Sequence, residues 1–219
     1  MCLVVAAVLS CYSLLLIWMN LFVWNFLDMF IMVISIGLST HFKLFNCELK
    51  QATAEQNMSQ EYWAYRREQY RRLCDLVYTF DEKISHFVLL CYSNHLFFIC
   101  KQLFSSLRPQ PTYYRLIYFW YSFIFLVIRA FFVSFTAAGI NDESTKPIEI
   151  LRSVSSSSWN TETKRFFDEV TNETIALSGM RFFFITRKMI LSLAGTIVTY
   201  EIIMMQFHSR YPHVADCQA

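Results

Sequence analysis

Ala194-Gly195-Thr196-Ile197-Val198-Thr199-Tyr200-Glu201-Ile202-Ile203-Met204-Met205-Gln206-Phe207 is apolar enough to enter a bilayer, yet it carries hydroxyls, an amide and a carboxylate. Such groups are expensive in hydrocarbon and usually face a bundle interior or a water path. At about 100° per helical residue, Ser192, Thr196, Thr199, Ile203 and Gln206 fall within roughly 80° of one another. They make one polar stripe broken by a single isoleucine. A stripe of this kind suits the lining of an ion pathway, with Ile203 as a hydrophobic constriction. The other reading is helix–helix packing through small and hydroxylated residues. Glu201 faces away from the stripe and has no partner evident in the sequence.

The rest of the chain has the same character. Of its 219 residues 55% are hydrophobic and 18% aromatic, with only four Gly and four Pro. Windows of span length pick out 21–40, 87–104, 116–140 and 189–207, and an apolar run over 2–19 precedes the first. The expected class is an all-α polytopic membrane protein. A net charge of +2 implies no nucleic-acid partner. The cysteines, Cys2, Cys11, Cys47, Cys74, Cys91, Cys100 and Cys217, are scattered without a Cys-x-x-Cys pair, so neither a disulfide framework nor a metal site is expected. No nucleophile–base pair or phosphate loop is visible, which points away from an enzyme and from a bound cofactor. Met1 leads straight into hydrophobic sequence with no basic region and no cleavage site, so a signal peptide is poorly supported. A chain that begins this way reads as the C-terminal part of something longer.

The organisation along the chain can be laid out in eight stretches. Residues 1–40 form a long apolar segment without Pro, either one very long helix or a span preceded by the remnant of another. Residues 41–86 hold a polar, amphipathic helix in which Trp63, Tyr70, Leu73, Val77, Phe80, Ile84 and Phe87 recur in steps of three and four. Arg66 breaks that pattern, and Arg67, Glu68, Arg71 and Arg72 cover other faces. The second span occupies 87–107, and the breaker Arg108-Pro109-Gln110-Pro111 lies in a loop over 108–115. The third span, 116–140, is followed by 141–188. That stretch starts with a turn at Asn141-Asp142-Glu143-Ser144-Thr145-Lys146-Pro147 and passes through the serines of 153–158. It continues as an amphipathic helix over 159–177 with Phe166, Phe167, Val170 and Ile175 on its apolar face. The last span is 189–207 and the tail 208–219.

Lys and Arg set the expected topology. Residues 43–83 and 141–188 carry seven each, against three in 101–115 and one after Phe207. The positive-inside rule puts the two rich segments in the cytosol and the C-terminus outside. The sequons at Asn57-Met58-Ser59 and Asn172-Glu173-Thr174 then fall on the cytosolic side and read as chance matches. In this orientation Trp24, Asn25 and Asp28 lie in the first turns of the first span. Asn94 and His95 lie near the middle of the second, and Trp120 and Tyr121 lie at the outer end of the third, beside Tyr113, Tyr114 and Tyr118. Rings beside carboxylate, amide and imidazole suit a polyhydroxylated ligand: rings stack on C–H faces while polar groups take hydroxyls in directional pairs. Interfacial Trp and Tyr are also ordinary belt residues. Arg129, deep in the third span, is expected to pair with an acid or to snorkel to the interface.

Thr199-Tyr200, five residues, then Gln206-Phe207 resembles the Thr-Tyr-x5-Gln-Phe element of insect gustatory receptors. The sugar-receptor branch is resembled by Ala176-Leu177-Ser178-Gly179-Met180-Arg181-Phe182-Phe183, by Thr186-Arg187-Lys188 and by the run from Leu191 to Glu201. Trp24-Asn25-Phe26-Leu27-Asp28, Asn94-His95-Leu96-Phe97-Phe98-Ile99-Cys100, Asp142-Glu143-Ser144 with Lys146-Pro147, and Leu151-Arg152-Ser153-Val154 belong to the same likeness, which runs from about Trp24 to His208. It implies the insect chemoreceptor seven-helix fold, of which this chain would hold the last four spans as a truncated or partial sequence. It also implies a sugar-gated, non-selective cation channel passing Na, K and Ca. Such a channel assembles as a homo- or hetero-tetramer through cytosolic anchor helices, lies in the plasma membrane of a taste-neuron dendrite, and lines its pore with the last span. Rival readings are a G-protein-coupled seven-span receptor, a transporter and a non-functional fragment.

Overall fold

The computed structural model describes residues 2–53, 59–106, 113–154 and 159–210; for 2–8, 105–106, 116, 201, 204–205 and 207–210 it describes the backbone alone. The Pro-rich loop, the Asn57 sequon, most of the serine run and the tail beyond Arg210 lie outside the described residues, as do the side chains of Glu201 and Phe207.

Among the described residues six helices follow one another: α1 Cys2–Thr53, α2 Gln60–Ser106, α3 Tyr113–Thr145, α4 Pro147–Arg152, α5 Thr161–Asn172 and α6 Arg187–Arg210. Residues 2–53 are therefore one continuous helix, the first of the two readings left open for the N-terminal run. The stretch 41–86 is shared between the end of α1 and the start of α2, which lie side by side. Among the described residues, α1, α2 and α3 are long and apolar enough to cross a membrane. The 24 residues of α6 span about 36 Å, also sufficient for a hydrocarbon core of about 30 Å. The fold is that of an all-helical, multi-pass membrane protein.

Each long helix buries one stripe at helical spacing. On α1 it is Trp24, Leu27, Asp28, Ile31, Ser35, Leu38, Phe42, Phe45, Asn46 and Leu49. On α2 it is Trp63, Tyr70, Cys74, Val77, Ile84, Val88, Cys91, His95, Ile99 and Leu103. The expected apolar face of α2 is corrected here: Phe80 and Phe87 are exposed, and Cys74 and Val88 are buried. A strict seven-residue repeat drifts by about 20° per heptad against 3.6 residues per turn, so over a straight helix the buried face moves on to neighbouring positions.

The core is concentrated where the ends of α1 and α3 meet the start of α2, the short helix α4 and α5. Phe166 sits against Phe45 and Tyr70, with ring centroids 6.3 and 5.4 Å apart. Asn160 starts α5 by accepting from the Thr163 backbone N–H at 2.9 Å, an ordinary N-cap. Arg67 pairs with Glu162 and Arg71 with Glu169, each at 3.0 Å, and these pairs hold α5 on α2. Of the apolar face expected for 159–177, Phe166, Val170 and Ile175 are fully buried, but Ile175 lies beyond the end of α5.

The expected turn over 141–147 is also corrected. α3 continues through Thr145, and only Lys146 separates it from α4. Pro147 has no N–H and crowds the carbonyl four residues back, so the helix must stop there. The carbonyls this frees are taken by side chains: Asn46 Nδ2 donates to Glu143 O at 2.8 Å, and the Tyr70 hydroxyl donates to Ser144 O at 3.1 Å. Asn141 donates to Ile175 O at 3.2 Å. Polar residues that read as a loop in sequence are thus the tertiary contacts of a helix end.

Between α5 and α6 the chain makes a tight hairpin. Ser178 pairs with Phe184, Gly179 N–H donates to Phe183 O at 3.0 Å, and Phe182 N–H donates to Gly179 O at 3.0 Å. Met180 and Arg181 have φ of 51° and 61°, two consecutive left-handed residues as a type I′ turn requires. Asp81 of α2 holds the hairpin, accepting from Ser178 N–H at 2.6 Å and from its hydroxyl at 2.8 Å.

Candidate ligand site and candidate pore helix

The buried stripes of α1, α2 and α3 carry scattered neutral polar residues, such as Ser35, Asn46 and Ser134, but at one level each helix contributes an ionisable side chain. Asp28 comes from α1, Cys91 and His95 from α2, and Arg129 from α3. The Asp28 carboxylate is their common acceptor. Its Oδ1 accepts from Cys91 Sγ at 2.9 Å and lies 3.1 Å from His95 Nε2; its Oδ2 accepts from Arg129 Nε at 2.5 Å. Asp28 and His95 are each 3% exposed. A charge this deep persists when paired and hydrogen-bonded, and both conditions are met here. Arg129 therefore pairs with an acid rather than snorkelling.

Aromatic rings close the group. Trp24 stacks on Phe98 with centroids 4.7 Å apart and 11° between planes, and it lies 5.5 Å from the His95 ring. The Arg129 guanidinium sits 4.3 Å from the indole centroid, a cation–π contact. On the side towards the hairpin, the Tyr92 hydroxyl bonds Ser134 at 3.0 Å and its ring lies 5.3 Å from Phe183. Among the described residues, three buried polar atoms of the group have no hydrogen-bond partner: Trp24 Nε1, His95 Nδ1 and Arg129 Nη2.

Of the residues singled out as pocket candidates, Trp24, Asp28 and His95 are brought together. Asn94 is half-buried on the next position of α2. Asn25 is exposed and bonds Leu21 O of its own helix. Trp120 and Tyr121 are exposed, in the N-terminal part of α3. Cys91, Phe98 and the pairing of Arg129 with Asp28 were not foreseen. Cys91 offered only its place, four residues before His95 on the face of α2 that His95 occupies. The donor atoms of Asp28, Cys91 and His95 lie within 4.8 Å of one another, a spacing that could hold a metal ion. The guanidinium on the same carboxylate disfavours a further cation, and hydrogen bonding to one shared oxygen already accounts for the convergence.

Ser192, Thr196, Thr199, Ile203 and Gln206 all lie exposed along α6, as does Tyr200. The helix packs on α3 through its other side. Ile190 is buried and Ile197 joins the cluster of Ile99, Leu103 and Phe123. At about 100° per residue these two isoleucines point roughly opposite to the polar stripe. Thr196 and Thr199 donate to the carbonyls of Ser192 and Gly195 at 2.9 and 2.8 Å, which leaves their oxygens free as acceptors on the exposed side. At the base of α6, Arg187 forms an ion pair with Asp142 and lies 5.4 Å from the Phe135 ring.

The fold is shared with the structure of an insect olfactory receptor from Machilis hrabei, solved in complex with eugenol. The likeness has a TM-score of 0.60 at 13% identity and covers 82% of this chain and 47% of that one. The protein is thus an all-α, multi-pass membrane protein with the architecture of an insect chemoreceptor.

The model of the trehalose receptor family matches residues 3–217, and the chain belongs to that family. It is similar to three Drosophila melanogaster proteins: gustatory receptor for sugar taste 64f (44% identity over 85% of this chain), gustatory receptor for sugar taste 64a (42%, 85%) and gustatory receptor 5a for trehalose (35%, 85%). The alignments cover 40%, 41% and 42% of those relatives, so the chain spans about two fifths of their length.

Proposed function

We propose that this chain is part of a sugar-taste receptor that opens a non-selective cation pathway when sugar binds. The observation that carries the reading is the family match over residues 3–217, to relatives named for sugar taste. The buried group around Asp28 supports a ligand site within the helices, since an ionised cluster at membrane depth is costly and marks function by default. The exposed stripe on α6 supports a pore lining, because its polar edge faces away from the chain's own bundle and would meet copies of itself in a symmetric tetramer, homomeric or mixed. Na, K and Ca are the permeant ions of this reading. The sugar sits near Trp24, Asp28 and His95, with Asn25, Asn94, Trp120 and Tyr121 towards its entrance. The protein resides in the plasma membrane of a taste neuron, with its C-terminus outside. Ligand opens the pathway only by binding the open state more tightly than the closed one.

Whole-cell recording tests the proposal. The full-length receptor is expressed and perfused with trehalose, sucrose, maltose and glucose. A fast sugar-evoked cation current that survives G-protein block is expected, with a reversal potential that shifts in Gln206 variants. Current that requires G-protein activity would refute the channel reading, and an unaltered reversal potential across Gln206 variants would refute the pore stripe.

A further inference from the structure

The hydrogen-bonding capacity around Asp28 is unevenly used. The carboxylate already accepts from three donors, Cys91, His95 and Arg129. What remains unpaired is Trp24 Nε1, Arg129 Nη2 and His95 Nδ1. The first two are donors only. An ionised carboxylate can only accept, so His95 Nε2 carries the hydrogen that faces Asp28, and with the ring taken in that single tautomer Nδ1 is left as an acceptor. Two donors and one acceptor, all buried, call for a partner that both accepts and donates.

We infer that the group around Asp28 selects uncharged hydroxyls, with Arg129 and Trp24 donating to them, His95 accepting from them, and Asp28 as the positioning residue behind. The inference rests on the sugar-receptor reading and deepens it. It assigns ligand contact to Arg129, for which the sequence suggested only pairing with an acid or snorkelling, and it removes Asp28 from direct contact with ligand.

Chemical selectivity follows. A hydroxyl satisfies donors and acceptor together. An ammonium in its place cannot accept, leaves Arg129 Nη2 and Trp24 Nε1 unpaired, and adds a positive charge beside the guanidinium. A carboxylate in its place cannot donate and leaves His95 Nδ1 unpaired. Were Asp28 itself the ligand contact, the order would invert and an ammonium would be favoured.

The test uses the full-length receptor, surface-expressed, with trehalose, sucrose, maltose and glucose as parent ligands. The most active is compared with its deoxy, aminodeoxy and uronate derivatives at a pH where the amine is protonated. At one or more ring positions the aminodeoxy derivative is expected to need about tenfold or more higher concentration than the parent, the effect of a single unpaired buried donor. Arg129→Gln alone strands the Asp28 charge and endangers folding, so the informative variant is Asp28→Asn with Arg129→Gln, which removes both charges, keeps the shape of residue 28 and withdraws the guanidinium. In it the discrimination at that position is expected to shrink to about threefold or less. Aminodeoxy derivatives that match or exceed the parent at every position overturn the inference while leaving the sugar receptor standing. So does full discrimination retained by the double variant at the cell surface. Silence to every neutral sugar, with protein at the surface, overturns both.

Discussion

Replacing Asp28 by Ala removes the acceptor shared by three donors, two of them buried and the third, the charged one, half-buried. The Arg129 side chain is 16% exposed and its Nε loses the carboxylate partner; Cys91 Sγ and His95 Nε2 lose theirs as well. Removing one partner of a buried pair costs about 3–5 kcal/mol, because the remaining charge is left uncompensated. At about 2–4 °C per kcal/mol for a cooperative unit of about 150–250 residues, the apparent Tm should fall by up to about 20 °C, and by less the larger the unit that melts together. Substituting both charges by apolar residues of similar volume, Asp28→Leu with Arg129→Met, should recover most of that loss, since the desolvation cost disappears with the attraction. The assay is thermal unfolding of the purified full-length receptor in detergent, read by tryptophan fluorescence and by monodispersity. The reasoning is refuted if the single variant melts with the wild type, or if the double variant is less stable than the single one.

Three further outcomes are expected by the same measurement. Phe166→Ala opens a cavity against Phe45 and Tyr70 and should cost about 3–5 kcal/mol, whereas Phe167→Ala, at a half-buried position, should cost clearly less; equal losses would contradict the assigned core. At Gly179 an added Cβ would clash with the Phe183 ring, which is braced by Tyr92, so Gly179→Ala should destabilise by about 1–3 kcal/mol; adding Phe183→Ala should relieve the clash. Burial and then the neighbouring Glu169 push the Glu173 carboxyl above the ordinary carboxyl range. Folded protein then binds more protons than unfolded protein in that window, so this group's cost is full above the raised value and is relieved as pH falls through it towards the ordinary range. Glu173→Gln should accordingly stabilise at neutral pH, and the advantage should shrink on acidification; an advantage independent of pH would exclude the electrostatic cause.

Much of the architecture is written into local pattern. The absence of Pro from 2–53 allows the single helix α1, and from Trp24 onward one buried side recurs every three or four residues, but the apolar run before Trp24 reads equally as the remnant of another span. Asp28 and His95 also announce themselves, because a carboxylate or imidazole in an apolar run must find partners. Which partners they find is a tertiary matter. Asp28 and Arg129 are 101 residues apart in sequence, and nothing local tells Arg129 that α3 brings it to α1. The end of α3 misleads for the opposite reason: Asn141, Asp142 and Ser144 have the composition of a turn, but Asn141 and Ser144 are engaged by Ile175 and Tyr70, and the helix persists until Pro147 stops it. The exposure of Trp120 and Tyr121 cannot be told from pocket-lining by residue type, since belt residues and sugar-stacking residues are the same amino acids. The hairpin at Ser178 escapes a reading of turn chemistry because its two left-handed residues are Met180 and Arg181, not Gly or Asn.

The unbroken course of α1 has a mechanical corollary. Asp28 and Leu49 sit on the same buried stripe of one helix, about 32 Å apart along its axis, with no proline between them to act as a joint. A rod of that kind transmits tilt without absorbing it. A small rocking of the Trp24 end about the middle of the rod must reappear, reversed in direction, where Phe45, Asn46 and Leu49 grip the ends of α3 and α5. The same Asn46 caps the terminus of α3, and three residues before that terminus Asp142 holds the foot of α6 through Arg187. A movement too slight to disturb the packing around Asp28 would thus arrive at the root of α6 as leverage, with α1 as the beam.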